Sequence, residues 1–354
     1  MGNTIRLSLR QMNKHGHTRL PDVIEQTGYT ICHWNIVICE GSAMNQAAVA
    51  QQATQTWYRV LKWGFGILWI VAGLLKLQPG MFTSALAINV LGPNALNNQP
   101  KWLYTVMLYG AHLWYVGLPV TTALLALWEI ALGVTLIASR GQWFRITLWL
   151  VVAWCLVVWI MAEGMGGILT GSPAFPEGSP GSTPFYAVGA MMLLYPSWVR
   201  PTFHRWAGGF WAVAALVQAL PYNWSASQVG GIFGDVSMNG AEPAALDRLN
   251  NVFITMGYHA PVMVNLVMVI VMAVLAWGYW TGKIPGPIWW LTIAWLAFLW
   301  VIPQAMATLF TGTGTDLGNA FPLALLLWVA KYMISRSSVT SNPLPSRVDL
   351  SPSG

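Results

Sequence analysis

The sequence predicts an all-α polytopic membrane protein of about eight transmembrane helices, and three observations carry that prediction. Charged residues make up 8% of the 354-residue chain and hydrophobic residues 56%, whereas soluble domains run at about 25% charged. Apolar runs long enough to cross a bilayer recur along the chain. The basic residues gather in alternate connections, as the positive-inside bias requires.

Residues 1–56 read as a polar N-terminal tail. Its first 43 residues have no helical periodicity and lack the apolar core and cleavage site of a signal peptide. Met44 opens an alternative start, MNQAAVAQQATQTWYRV. Cys32 and Cys39 fall in this tail and Cys155 in an apolar run, a distribution with neither a disulfide framework nor a zinc-finger spacing.

Spans are predicted at 61–78, 118–138, 144–163, 184–199, 204–221, 258–280, 285–304 and 319–335. Two are short for a straight crossing, so local thinning or flanking residues must help. With the N-terminus inside, the cytoplasmic segments carry Arg59, Lys62, Arg140, Arg145, Arg200, Arg205, Lys283, Lys331, Arg336 and Arg347. The other side carries Lys76, Lys101 and Arg248, together with Glu163, Glu177, Asp235, Glu242, Asp247 and Asp316. Both termini are therefore expected in the cytoplasm. The net charge of +6 reflects this topology, since no basic stripe of the kind nucleic acid requires is present.

The two halves of the chain match. WIMAEGMGGILTG at 159–171 returns as WVIPQAMATLFTG at 300–312. Trp149, Trp154 and Trp159 return as Trp290, Trp295 and Trp300, and Gly141 as Gly282, all at one displacement. LLKLQP at 74–79 is echoed by LVQALP at 216–221, which sets Gln218 opposite Lys76. These matches imply an internal duplication: a first four-helix repeat at 57–199, a second at 200–335 and a disordered C-terminal tail at 336–354. An even number of spans per repeat inserts both halves the same way up, as parallel repeats. Each repeat has a long external segment, 80–117 or 222–257. The first suggests interfacial helices capping the bundle. In the second, SASQVGGIFGDVSMNGAEP is Gly-rich and reads as loop. Asn223-Trp224-Ser225 matches a glycosylation sequon only formally.

Ionisable groups inside a span cost about 2.5–3.5 kcal/mol on insertion scales, so each needs a reason. Glu129, halfway along its span, reads as a proton-handling carboxylate or ligand acceptor, against the alternative of a helix-to-helix tie. Lys76 is expected to snorkel from the end of its span. A Lys76–Glu129 pair, with Lys76 as a ligand-binding candidate, is kept as the alternative, strained by depth because Glu129 lies ten residues, or about 15 Å, into its helix. Glu163 follows Trp159 by four residues and Gln304 follows Trp300 likewise, a spacing that puts each pair on one helix face. Such a platform suits a planar ligand with carbonyl oxygens, and an interfacial aromatic belt is the competing reading. His112 and His259 complete the ligand-binding candidates, with an interfacial hydrogen-bonding role as their alternative. No metal-ligand spacing and no dinucleotide, phosphate-loop or haem-attachment motif is present.

GILWIVAGLLKLQPGMF and LWEIALGVTLIASRGQWFR resemble the DoxX/DoxD-like family of membrane proteins. The likeness rests on Gly73 with Lys76, and on Glu129, Gly133 and Arg140, and covers mainly residues 57–197. In the second half Gln218 replaces the lysine and Ile270 stands near the glutamate position, as in a degenerate duplicate. The resemblance implies a four-helix bundle per repeat in a prokaryotic plasma membrane. It also implies membrane redox chemistry, since DoxD relatives are subunits of a thiosulfate:quinone oxidoreductase. The expectation is a membrane subunit that binds quinone, with Glu129 and Glu163 as catalytic carboxylates and a partner subunit supplying any soluble catalytic domain. Because fold does not fix function, a transporter or non-catalytic scaffold is the alternative.

Overall fold

The chain folds into helices alone among the described residues, which in this computed structural model are 36–234, 243–282 and 286–340. Twelve α-helices run in order: α1 (Ile36–Leu75), α2 (Gly92–Leu96), α3 (Lys101–Val116), α4 (Val120–Ala138), α5 (Gly141–Met161) and α6 (Thr183–Leu194), then α7 (His204–Gln218), α8 (Ala226–Gly234), α9 (Ala244–His259), α10 (Pro261–Trp280), α11 (Gly286–Val301) and α12 (Ala320–Thr340). Residues 1–52 and 53–354 form separate units, and the helix bundle with its cavities belongs to the second.

Each of the eight sequence-predicted spans coincides with a helix: α1, α4, α5, α6, α7, α10, α11 and α12. Among the described residues, four stretches are long and apolar enough to cross a membrane, namely Gln55–Leu75, Val120–Ala138, Gly141–Met161 and Pro261–Trp280. Thr183–Leu194, Gly286–Val301 and Ala320–Ser335 are apolar but shorter. Within the stretches read as tails, α1 is helical from Ile36 and α12 runs on to Thr340. Cys32, Asp235, Glu242, Lys283 and Arg347 lie outside the described residues.

Small residues set how closely the helices approach. On α4, a Cβ at Gly133 would lie 2.5 Å from the Gly66 carbonyl oxygen of α1. One at Gly73 would lie 2.6 Å from the Ala126 oxygen. The last turn of α1 is therefore level with residues 126–130, and α4 continues two turns beyond it. Above that level the chain turns through Pro79–Phe82, where the Thr122 hydroxyl donates to the Met81 oxygen at 2.9 Å. On the other side of the core, Gly208 of α7 meets the backbone of Trp280 on α10 in the same close fashion.

The stretch read as a loop after Ser225 is instead helical over Ala226–Gly234. Its glycines serve packing: a Cβ on Gly257 of α9 would lie 2.8 Å from the Val229 oxygen, and Gly230 meets the Tyr258 ring. Glycine content signals a close helix crossing here as readily as a turn. Asn223, of the formal sequon, is fully buried and donates to the Val217 oxygen at 3.0 Å, which is a structural role.

Candidate functional site

The end of α1 and the middle of α4 bring Lys76 and Glu129 together. Lys76 Nζ lies 2.6 Å from Glu129 Oε2, with 8% and 3% of each residue exposed. The expectation of a snorkelling Lys76 is thus overturned. The depth estimate fails because α1 stops beside the middle of α4, not at its end. Lys76 also donates to the Thr315 oxygen at 2.9 Å, and the Trp154 indole of α5 donates to Glu129 Oε1 at 3.3 Å. Thr315 lies in the loop before α12, a contribution that no local pattern in the sequence announces.

This pair is part of the wall of an apolar chamber of about 360 Å³. Trp69, Trp114, Trp154 and Tyr186 line it, together with Leu86, Val90 and Leu91 from the segment between α1 and α3. Glu163, Thr183, Thr315 and Asp316 form one side. A volume above about 300 Å³ with mostly apolar walls and a few converging polar groups matches small-molecule sites. The Trp69 and Trp114 indole nitrogens and the Tyr186 hydroxyl have no partner among the described residues, and each is covered by neighbouring atoms.

Glu163 leaves the helix before the site is formed. α5 ends at Met161, and the Glu163 amide reaches back five residues to the Val158 oxygen at 3.0 Å. Residues Gly164–Gly167 then run left-handed, with φ between 55° and 71°. This turn delivers the carboxylate to the N-terminus of α6. There it accepts from the Ser182 amide at 3.1 Å and from the Ser182 and Thr183 hydroxyls at 2.7 Å each. The same Ser182 hydroxyl lies 2.5 Å from Asp316 Oδ2, and Asp316 Oδ1 accepts from the Gly318 amide at 2.8 Å. Burial, followed by the Asp316 charge, raises the Glu163 carboxyl to about 7, against the opposing pull of its hydroxyl and amide donors.

Beyond this wall lies a second, polar cavity of about 250 Å³. Asn97, Gln99, Glu177 and Asn319 line it, and it shares Asn94, Glu163, Thr315 and Asp316 with the chamber. Among the described residues, its lining carries carboxylates and amides and no basic side chain.

Other expected ligand-binding residues fall elsewhere. Trp159 lines neither cavity, since its indole donates to the Pro180 oxygen at 2.7 Å and pins the 163–182 loop. Glu163 lies past the end of α5, so the pair is not set by an i, i+4 relation; the Trp159 ring and the Glu163 carboxylate instead both lie beside Gly181. Trp300 packs edge-on against Phe321 at 5.0 Å and also lines neither cavity. Gln304 is buried outside both, and among the described residues no hydroxyl donates to it. His112 on α3 and His259 at the end of α9 are exposed and line neither cavity. No group of three metal-ligating side chains occurs among the described residues.

The second half has its own buried polar pair. Gln218 Nε2 donates to Asn265 Oδ1 at 2.7 Å, and Asn265 Nδ2 donates back to the Gln218 oxygen at 3.2 Å. Asn265, and not Ile270, therefore faces Gln218; Ile270 is half exposed. The spacing between the two spans differs between the halves, so a constant displacement misplaces the partner. No protein-family model matches the chain, and no curated protein or solved structure is found similar to it.

Proposed function

We propose that the chain is a quinone-binding membrane subunit of an oxidoreductase, with the ligand ring held in the chamber beside Lys76, Glu129 and Trp154. One observation carries this reading: ionisable groups converge on a single apolar cavity with flat aromatic walls. A quinone needs those walls for its ring, hydrogen-bond donors for its carbonyl oxygens, and protons for its reduced form. Lys76 supplies a cationic donor at the wall. The indoles of Trp69 and Trp114 and the Tyr186 hydroxyl are unspent donors, and a ligand oxygen that displaces their cover would relieve the cost of leaving them unpaired.

In this reading the chain spans a prokaryotic plasma membrane eight times as two parallel four-helix repeats, with both termini in the cytoplasm. The repeat is supported by shared backbone detail. Gln304 reaches back to the Leu299 oxygen at 3.1 Å as Glu163 does to Val158, and Ala305–Thr308 run left-handed as Gly164–Gly167 do. Membership of the DoxX/DoxD-like family is proposed on Gly73, Lys76, Glu129, Gly133 and Arg140. Its glycines are the residues that let α1 and α4 meet.

The chamber favours this reading over a transporter. Its lining comes from residues 69–186, joined only by Thr315 and Asp316, and it is not shared evenly between the halves. The polar cavity, acidic and without a basic side chain, repels an anionic donor such as thiosulfate. An anionic reductant would therefore be handled by a partner subunit.

The test is extraction of the purified protein for quinone, together with quenching of its tryptophan fluorescence by a short-chain benzoquinone. Quenching is expected in the wild type and should weaken in Glu129→Gln. If no quinone is extracted and none quenches, the chamber is not a quinone site.

A further inference from the structure

We infer that Glu163, Ser182 and Asp316 form a proton relay through the wall between the chamber and the polar cavity. The inference rests on reading the chamber as a quinone site. Its geometric basis is independent of that reading.

Ser182 Oγ stands 2.7 Å from Glu163 Oε1 and 2.5 Å from Asp316 Oδ2, yet a hydroxyl has one proton to donate. With both carboxylates ionised, one of these two contacts would be lone pair against lone pair. The three side chains are therefore satisfied together only when the trio carries one further proton. Two arrangements meet that condition: Glu163 donates to Ser182 and Ser182 to Asp316, or the reverse order. They interconvert by two short hops, with no movement of heavy atoms.

Both carboxylates line the chamber as well as the polar cavity. The groups around the trio are Lys76, Glu129 and Tyr186 on the chamber side, Glu177 in the polar cavity and Cys155 on α5. In the forward direction a quinol O–H breaks and its proton joins Glu163. The proton already on the trio shifts through Ser182 to Asp316, and Asp316 releases one to water in the polar cavity. Charge is conserved, and no electron moves in this step. Reduction of a bound quinone draws protons in by the reverse route. The left-handed turn at 164–167 and the start of α6 hold the two ends of the relay at fixed separation.

The experiment uses the full chain in lipid vesicles loaded with a short-chain benzoquinone, with dithiothreitol, a neutral reductant, as the electron donor. Quinone binding is read by fluorescence quenching and quinol formation by ultraviolet absorbance. For Ser182→Ala, whose side chain lines only the polar cavity, binding is expected to persist while quinol formation slows about a hundredfold, the lower end of positioned proton-transfer effects. Ser182→Thr, which keeps the hydroxyl, is expected to restore the rate. Retained binding with an unchanged rate overturns the relay. If the wild type binds no quinone, the reading of the chamber fails, and the relay is judged by infrared spectroscopy alone. The carboxyl band lost in Glu163→Gln should then exchange with deuterium more slowly in Ser182→Ala, and equal exchange overturns the relay.

Discussion

Lys76 and Glu129 hold the junction of α1 and α4, and Gln218 and Asn265 hold that of α7 and α10. Both junctions are buried, both accompany a close glycine-mediated crossing, and both join the end of one helix to an apolar neighbour. Only the first is charged. A neutral amide pair is thus sufficient for this architecture, and a buried ion pair gives no dependable gain in stability over a neutral replacement. The charge in the first half therefore calls for another explanation. The chamber on which it opens, with Glu163 and Asp316 in the same wall, provides one.

The sharpest way to break this comparison is to remove one partner from each junction. Lys76→Met leaves Glu129 buried without its cation and is expected to cost about 3–5 kcal/mol. Gln218→Leu leaves the Asn265 amide unpaired and is expected to cost about 1–3 kcal/mol. Thermal unfolding in detergent measures both. The double variant Lys76→Gln with Glu129→Asn, which rewrites the first junction as the second, should recover most of the stability while losing quinone quenching. Equal losses for the two single variants, or a double variant no more stable than Lys76→Met, would mean that the ion pair is architectural.

The turns after α5 and α11 give a second comparison, and pH separates them. Glu163 is raised to about 7, whereas the unfolded chain has an ordinary carboxyl at about 4.3. Between those values the folded state holds a proton that the unfolded state has released. Stability from this group is full below the unfolded value and declines as pH rises through about 7. Unfolding temperatures measured from pH 4.5 to 8 should fall with rising pH across that window. In Glu163→Gln, which gives the first turn the residue of the second, that decline should flatten. A wild-type curve as flat as the variant's would show that Glu163 is ionised throughout. Asp316→Asn removes the neighbouring charge and should move the decline to lower pH.

Much of this architecture is legible in the sequence, and for specific reasons. Apolar runs mark helices because the bilayer sets their length, which is why α4, α5 and α10 fall where periodicity puts them. Glu129 stands out because a carboxylate in such a run is rare. Lys76 misleads, since depth counted along one helix carries no knowledge of where its neighbour ends. Trp159 and Trp300 line neither cavity, because spacing along a helix does not say which way a ring turns once the helix has ended. Ser182, Thr315, Asp316 and Tyr186 give no sequence signal, being ordinary residues that only tertiary packing assembles. The two carboxylates joined by Ser182 are 153 residues apart. The one available clue is that charge topology assigns Glu163 and Asp316 to the same external side.

The smallest effect tests the turns themselves. The first passes its left-handed residues through Gly164, Gly166 and Gly167, while the second does so with Ala305, Met306, Ala307 and Thr308. A left-handed residue other than glycine costs about 1–2 kcal/mol, and glycine's extra freedom when unfolded returns about 0.5–1 of that. Ala307→Gly, at φ 57°, should therefore stabilise the protein by roughly 0.5–1 kcal/mol. Gly167→Ala, at φ 71° with no atom closer than 3.8 Å to the added methyl, should cost about as much. Because nothing crowds that methyl, the second measurement isolates the backbone term. Opposite signs of similar size in thermal unfolding would mean that the two turns are one backbone solution. The second turn then keeps the shape at the cost of strain, without the first turn's glycines and acid. If Ala307→Gly instead destabilises, the contact of the Ala307 methyl with Gly318 outweighs the backbone, and the two turns are held by different forces.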